Sequence, residues 1–387
     1  GDPASIEVGP TFLQFGFGSE SFQGYPLESA GEFDSDSIAV YFDLEADVTE
    51  RFSAGAAVRF EDYDAFGSTF DWKLSGRFEV NDQFAIRGTA NTGFRAPTTG
   101  QINTLNGTTA ANSAGVLVPQ FIYPVADPIA QALGSQSLDP EESTSFTIGA
   151  VFEPTDNTSI TLDYYDVTIE DRLTVFNVNP DGLCDGSPEC GGTNELATLA
   201  AAGIANPEQF LGAKVAYFIN GFESEISGFD ISVVSDFRLG SGLLTADLRA
   251  NFNDHKVKKI LRDSVSPADV FDFENQVPEN RAALTLNYDT DGLFSGYVRF
   301  NRYGEWGDSG GQVASSDASE AVTYGSEILV DLEANFQITD NFRVAVGGEN
   351  VFDTYPDKDG HYVSELLGIE YALTSPFGFN GAFWYAR

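Results

Sequence analysis

The stretch that decides the fold is Phe70-Asp71-Trp72-Lys73-Leu74-Ser75-Gly76-Arg77-Phe78-Glu79-Val80, in which apolar and polar residues alternate. A period of two places the apolar side chains on one face of a β-strand and the polar side chains on the other. The same alternation runs through 38–48, 52–61 and 328–338. Such runs of about 9–13 residues exceed the length of a typical soluble strand and match a tilted strand that crosses a bilayer.

The connections between the predicted strands alternate between short and long. Short turns are predicted near 49–51, 81–83, 154–157, 239–242, 289–292 and 339–341. The intervening connections, all long except the first, are predicted near 62–69, 96–142, 172–222, 255–279, 304–325 and 353–376. An antiparallel meander in an outer membrane has this order, with tight turns on the periplasmic side and longer loops outside. Long unstructured loops are uncommon in compact soluble domains.

The polar stripes are too highly charged for a dry interior, so we expect the apolar face to contact lipid and the polar face to line a wet or plugged lumen. Several aromatic residues near strand ends suit interfacial girdles, although phenylalanine is also simply a good strand former. These residues are Phe52, Phe60, Phe84, Phe94, Phe342 and Phe352. The predicted fold class is therefore an all-β transmembrane antiparallel β-barrel with meander topology.

The strand count is about thirteen, whereas a closed bacterial barrel has an even number. Either residues 6–17 add a fourteenth strand or the chain is part of a larger barrel. The final segment 377–387 is interpreted as the last strand. We expect 1–35 to hold a partial early strand and loop, and 36–387 to hold the barrel domain.

Composition excludes several classes of protein. The chain of 387 residues has 59 Asp and Glu against 20 Lys and Arg, a net charge of −39, which argues against nucleic-acid binding. It is too apolar for a disordered acidic chain, with 42% hydrophobic and 13% aromatic residues. No apolar run predicts a transmembrane helix. The start at Gly1 shows no signal peptide and no initiator Met, so a mature or truncated chain is expected.

The two cysteines, Cys184 and Cys190, lie close together in a Gly- and Pro-rich stretch. A small local disulfide is the favoured interpretation and implies an oxidising compartment; two free thiols are the alternative. A zinc site is disfavoured because there is no further Cys and His255 and His361 lie far away in sequence.

Three segments carry a resemblance to a known family. The first, Arg59–Leu74, resembles a strand–loop–strand unit of that family, which ends in a strand with the letters "KL". The second segment resembles the family's "GFRAP" signature and reads Thr92-Gly93-Phe94-Arg95-Ala96-Pro97. Gly347–Pro356 resembles its "ENLFD" signature, written here with Val351 in place of Leu. In this order, each at a strand end, they make the chain similar to the TonB-dependent receptors, the plugged outer-membrane transporters of Gram-negative bacteria.

The resemblance implies a function and also exposes departures. It implies a barrel of about 22 strands, outer loops that capture a scarce solute such as a ferric siderophore, and passage driven by TonB, ExbB and ExbD. No plug and no TonB box are found, and the chain ends at Arg387 rather than an aromatic residue. We therefore expect either the C-terminal part of a monomeric receptor or the ordered portion of one, coupled to TonB through a plug that is not in this chain. No catalysis, metal or cofactor is implied.

The resemblance also marks candidate residues with structural roles. These are Gly93, Phe94, Arg95, Pro97, Asn350, Phe352 and Asp353. Asn350 and Asp353 are expected to cap turns through local backbone bonds. Arg95 either ties the wall to a plug or loop or is a plain charge at a strand end.

Candidate ligand contacts come from the polar stripes and one loop. Arg77, Arg87, Arg299 and Arg302, together with Arg59, could meet an anionic plug or a ferric chelate. The alternative is a ladder of lumenal salt bridges to Glu61, Asp71, Glu79, Asp331 and Glu333. Tyr217 follows the loop that holds the cysteines and a predicted helix at 194–203. The basic run 255–259 could bind lipopolysaccharide phosphate or be a solvated loop edge.

Three other functions are possible for such a chain. The alternative to a receptor is a passive porin-like channel of about fourteen strands. An outer-membrane enzyme is disfavoured because only His255 and His361, both predicted in loops, could act as a base. A soluble β structural protein is the third. Ferric siderophore, cobalamin, haem and oligosaccharide all remain open as the solute.

Overall fold

The computed structural model describes residues 29, 31–64, 66–111, 117–179, 182–187, 193–262, 265–290, 292–310, 318–361, 364 and 368–387. The predicted extra strand at 6–17 and most of the predicted early segment 1–35 lie outside these residues.

Strands dominate the described residues, and the helices are short. The strands in chain order are β1 (Ser37–Thr49), β2 (Phe52–Tyr63), β3 (Gly67–Asn81), β4 (Phe84–Arg95), β5 (Asn106–Ala111), β6 (Leu117–Ile122), β7 (Glu141–Thr155), β8 (Thr158–Asn177), β9 (Lys214–Leu239), β10 (Gly242–Ile260), β11 (Asn280–Asp289), β12 (Phe294–Tyr303), β13 (Trp306–Asp308), β14 (Val322–Tyr324), β15 (Glu327–Thr339), β16 (Phe342–Glu349) and β17 (Phe383–Ala386). The helices are α1 (Thr99–Asn103), α2 (Pro128–Ala132), α3 (Glu195–Ala201), α4 (Pro267–Asn275) and a 3-10 helix at Pro207–Phe210. In the described part of the chain, no helix has the length and apolar character needed to cross a membrane.

Thirteen strands form one antiparallel meander in chain order. The order is β1-β2-β3-β4-β7-β8-β9-β10-β11-β12-β15-β16-β17, and β1 and β17 are its open edges. The remaining strands form hairpins inside two loops: β5–β6, which joins β9 through a parallel pairing of β6, and β13–β14. The predicted meander and its alternation of tight turns with longer loops are confirmed.

The two faces of the sheet differ as predicted. The apolar face carries exposed phenylalanines in cross-strand pairs, such as Phe52 with Phe78 beside the turns and Phe60 with Phe70 towards the loops. The pairs Phe84–Phe152, Phe294–Phe336 and Phe229–Phe252 repeat this pattern around the sheet. Eight residues separate Phe52 from Phe60, or about 26 Å along the strand. That span is of the order of the roughly 25 Å apolar band between the aromatic girdles of a membrane barrel.

Three strands continue well beyond the apolar band, which corrects the predicted loop bounds. β8 has 20 residues and β9 has 26, so both enter the segment predicted as the loop 172–222. β10 likewise continues through 255–259, which pairs with β9. His255 is therefore a strand residue and not a loop residue as predicted, because cross-strand pairing extends the ladder outside the membrane. The predicted final strand 377–387 is also too long, since only Phe383–Ala386 pairs with β16.

A hydrophobic core, which we call the loop core, lies among the loops. It draws buried side chains from four separate loop and strand segments: Phe121, Tyr123, Ala130, Leu183, Leu196, Leu199, Phe210, Ala213, Val215, Tyr217, Ile219, Phe222 and Val265. Helix α3 contributes Leu196 and Leu199, begins at the N-cap Asn194 and is followed by Gly203 at positive φ. The helix predicted at 194–203 is confirmed. The loop cluster is therefore packed like a small domain on top of the wall.

Candidate functional site

The signature around Arg95 fixes the base of the first long loop. At the end of β4, Arg95 binds Glu141 of β7 through two contacts, with Nε 2.6 Å from Oε2 and Nη2 2.8 Å from Oε1. Glu141 Oε1 also accepts the backbone N–H of Leu173 in β8 at 2.7 Å. The neighbouring Phe94 packs on Tyr63, and Pro97 is buried as the chain leaves the strand. The Arg95–Glu141 pair joins two neighbouring strands of the wall at the base of the loop, so the predicted tie of Arg95 to a plug or loop stays a prediction.

Replacing Glu141 with Gln is expected to loosen this junction by about 1–2 kcal/mol, because a charge-assisted bidentate pair becomes a neutral contact. The readout is hydrogen exchange at the Leu173 amide. Glu142→Gln is the matched control, because Glu142 is exposed on the opposite face. Equal protection of Leu173 in both variants would contradict the assigned role.

The second signature forms a tight turn after β16. Asn350 at φ 48° donates through Nδ2 to the Thr354 carbonyl at 2.8 Å and accepts the Thr354 N–H through Oδ1 at 3.0 Å. Asp353 at φ 57° accepts the N–H of Ala382 at 2.8 Å, which ties the two ends of the last loop together. The contacts of Asn350 are local capping bonds of the kind expected, whereas the Asp353 bond joins residues 29 apart and is not the local cap that was predicted. Phe352 projects between them, 74% exposed.

The polar face carries four of the predicted arginines, and three of these are paired with acids. Arg59 Nε bonds Glu61 Oε1. Arg87 of β4 donates two hydrogen bonds to Asp163 of β8, from Nε to Oδ1 at 2.8 Å and from Nη2 to Oδ2 at 2.6 Å. Both bonds cross Gly149 on the intervening strand β7. A Cβ at Gly149 would lie 1.9 Å from Asp163 Oδ1, so the bridge requires glycine there. Arg77 Nη2 lies 3.4 Å from Glu79 Oε1. Arg77 and Arg87 line a groove of about 860 Å³ on this face.

Arg299 differs from the paired arginines. Its guanidinium lies 5.3 Å from the Tyr297 ring centroid and 3.3 Å from Thr285 Oγ1. On the neighbouring strand β11, Arg281 Cζ lies 4.8 Å from the ring centroid of Tyr303, and Arg281 Nη2 donates to the Tyr303 hydroxyl at 3.2 Å. Both arginines are exposed, and no ion pair to either is found within the described residues. We call Arg281, Tyr297, Arg299 and Tyr303 the arginine–tyrosine strip.

Two predicted ligand contacts are corrected by the structure. Arg302 shares the apolar face with Val298 and Phe300, because an even spacing along β12 puts it there, and it bonds Asn280 Oδ1. Tyr217 is 1% exposed in the loop core, donates to the Leu133 carbonyl at 2.8 Å, and burial raises its pKa to about 12. Neither side chain lines the polar face of the wall.

The structure describes one of the two cysteines for which a disulfide was predicted. Cys184 is disulfide-bonded and 8% exposed, and its N–H bonds Glu195 Oε2 of α3 at 2.9 Å. Cys190 lies outside the described residues.

The basic run at the end of β10 is neutralised by acids. Lys256 pairs with Asp254, while Lys258 binds Glu225 and Lys259 binds Glu223, each at 2.8 Å. The arrangement is a ladder of exposed ion pairs, the kind of pair that contributes little to stability. It favours the solvated edge over a dedicated phosphate site.

Sequence reasoning missed the arginine–tyrosine strip as a unit, although it singled out Arg299. The signal was available in the alternation of β11 and β12, which puts Arg281, Arg299 and both tyrosines on one face. What the pattern could not provide was the register that sets Arg281 opposite Tyr303.

Comparisons with known proteins agree with this architecture. Residues 9–351 match a family model described as "TonB dependent receptor-like, beta-barrel". Among solved structures, the siderophore receptor PirA from Acinetobacter baumannii is similar at 18% identity and a TM-score of 0.60, covering 91% of this chain and 45% of that one. A variant of the ferric enterobactin receptor PfeA from Pseudomonas aeruginosa is similar at 13% identity and 0.60, covering 91% and 44%.

The FrpB iron transporter from Neisseria meningitidis is also similar, at 14% identity and a TM-score of 0.53, covering 83% of this chain and 41% of that one. The chain thus spans less than half the length of the solved structures it matches. At these identities the likeness concerns the fold. A comparison with curated proteins found no match.

Proposed function

The chain belongs to the TonB-dependent receptor-like β-barrel family, and we propose that it forms the C-terminal part of the barrel wall of an outer-membrane uptake receptor in a Gram-negative bacterium. The solute is a ferric siderophore or a similar large anionic chelate. TonB, ExbB and ExbD supply the energy through the receptor's plug. The receptor works as a monomer, in contact with outer-membrane lipid and lipopolysaccharide.

The observation that carries the choice of solute is the arginine–tyrosine strip on the lumenal face. Five other arginines of that face, Arg59, Arg77, Arg87, Arg95 and Arg249, are each paired with a carboxylate. Arg281 and Arg299 instead lie against tyrosine rings and remain exposed. Guanidinium groups beside aromatic rings can bind an anionic ligand by charge and stack on its rings. The names of the similar receptors, which refer to siderophores and iron, point in the same direction.

The proposal is tested by growth under iron limitation. Cells lacking their own ferric-chelate receptors would express the full-length receptor and be offered a tris-catecholate, a hydroxamate, ferric citrate and haem separately. Growth on at least one anionic ferric chelate, abolished by deletion of the receptor, is the expected result. Growth on none of them would contradict the proposed solute class.

Replacing both Arg281 and Arg299 with Gln is expected to weaken binding of the supporting chelate about 10- to 100-fold, because each charged hydrogen bond contributes about 1.5–3 kcal/mol and only part of that is lost. Binding would be measured by tryptophan fluorescence quenching on the purified receptor. Arg249→Gln is the control, because Arg249 lies on the same face but is tied to Asp247 at 3.1 Å. An equal loss in the control would show that the strip has no special role.

A further inference from the structure

Helix α4 lies against the polar, lumenal face of the wall above the apolar band. Its Phe273 ring packs on Phe222 at 5.2 Å and on the His255 ring at 5.7 Å, and Arg172 Cζ lies 4.7 Å from the same ring centroid. Phe222 and His255 belong to the face of β9 and β10 that also carries Asp230. The helix therefore covers the inner surface of the strand extensions at the outer mouth.

The helix is attached on both sides. On one side Glu274 Oε1 accepts the N–H of Val257 in β10 at 2.9 Å. On the other, Asp272 accepts the Ser309 N–H and hydroxyl, both at 2.7 Å. A capping box at Ser266 and Asp269 secures the start of the helix. The helix thus bridges β10 and the segment after β13.

His255 is the imidazole that packs on Phe273 of the helix. Burial and the charge of Arg172 lower its pKa from the ordinary value, against smaller opposing effects of Asp254 and a hydrogen bond to the backbone of Phe273. Arg172 itself has a lowered pKa, chiefly through burial. The fold therefore favours a neutral imidazole while the helix is docked.

We propose that α4 is a strap across the lumenal side of the outer mouth, docked while His255 is neutral and released when His255 is protonated. Protonation puts a second positive charge beside Arg172, which already stands over the Phe273 ring, in a half-buried site where charge is costly. The charged groups that act on the imidazole are Arg172 and Asp254. Glu141 and Arg95 act in turn on Arg172. The adjacent residue Lys256 is surrounded by Asp254, Glu225 and Glu274. The proposal concerns α4 alone and does not depend on the solute.

The direction of the pH effect follows from linkage. A released His255 titrates near its ordinary pKa of about 6.5, and docking lowers that value, so the docked state loses stability as pH falls below about 6.5. At pH 5.5 the loss is at most roughly tenfold in the docking equilibrium. Burial raises the pKa of Asp272 in the docked state, so Asp272 acts in the opposite direction and opposes the loss wherever the pH lies between its ordinary pKa and that raised value.

The test is hydrogen exchange of residues 265–279 in the full-length receptor between pH 7.5 and 5.5, with the intrinsic exchange rate divided out at each pH. Protection in the wild type is expected to fall several-fold at pH 5.5. His255→Gln, which cannot gain a proton, is expected to keep its protection constant across the range. Arg172→Gln leaves His255 in place but removes a charge that lowers its docked pKa, so the docked and released pKa values come closer and the fall in protection is expected to be smaller than in the wild type.

Protection that does not change with pH in the wild type would overturn the proposal. So would an equal fall in His255→Gln. If His255→Gln fails to dock at any pH, the Arg172→Gln curve decides: a fall as large as that of the wild type counts against the strap. Uptake of a ferric chelate is a separate measurement, so failure of the strap and failure of the proposed function are distinguishable.

Discussion

Leu74→Lys is expected to prevent stable insertion of the barrel. Leu74 is exposed on the apolar face midway between Phe70 and Phe78, opposite Ala56 and Ala90. A lysine at the middle of a lipid-facing strand costs about 2–4 kcal/mol. The folded fraction would be measured by urea titration of the full-length receptor in lipid vesicles, using the heat-dependent gel shift of folded barrels.

Ser75→Lys is the matched control for this prediction. Ser75 is the next residue on the same strand, faces the polar side and lies opposite Gly55 and Thr89. A lysine there enters a face that already carries Lys73 and Arg77, so the expected loss is under about 1 kcal/mol. Equal losses for the two variants would mean that the faces have been assigned wrongly.

Leu199→Ala is expected to unfold the loop cluster while the wall stays intact. Leu199 is 0% exposed in the loop core, and truncation of such a leucine costs about 2–5 kcal/mol through lost burial and the cavity it leaves. The wall is held by its own ladders of backbone hydrogen bonds, so its stability should not change. Limited proteolysis of the receptor on intact cells would report cleavage in 178–213.

Thr198→Ala is the control for the loop core, because Thr198 is an exposed neighbour on the same helix. It should remain as resistant to protease as the wild type. Loss of the barrel along with the loops in Leu199→Ala would show that the loop core and the wall fold as one unit.

The sequence was sufficient for the wall but not for the loops. A strand with one face in lipid must alternate, so stretches such as 70–80 reveal both their faces and their ends. Loop residues face no such uniform environment, and their packing depends on contacts distant in sequence, as when Tyr217 reaches Leu133. The same reason explains why the predicted end of β10 lies too early: Lys258 and Lys259 look like loop residues, but they pair with Glu225 and Glu223 across the ladder on β9.

The candidate site was predicted in part. Residue type and face identified Arg87 and Arg299, and the alternation of β12 already puts Arg299 beside Tyr297. Only the register shows that Arg87 reaches Asp163 across a glycine. The position of Arg302 was predictable from parity along β12, since Val298 and Phe300 mark the lipid side. No pattern in the sequence brings Phe273 of α4 to His255.

The most direct test of the central claim is the accumulation of radioactive iron by cells that express the full-length receptor, with and without TonB. The receptor proposal predicts that accumulation from the growth-supporting chelate is saturable and is lost when TonB is deleted or the membrane is de-energised. Accumulation that proceeds equally without TonB would contradict it and would instead indicate a passive channel.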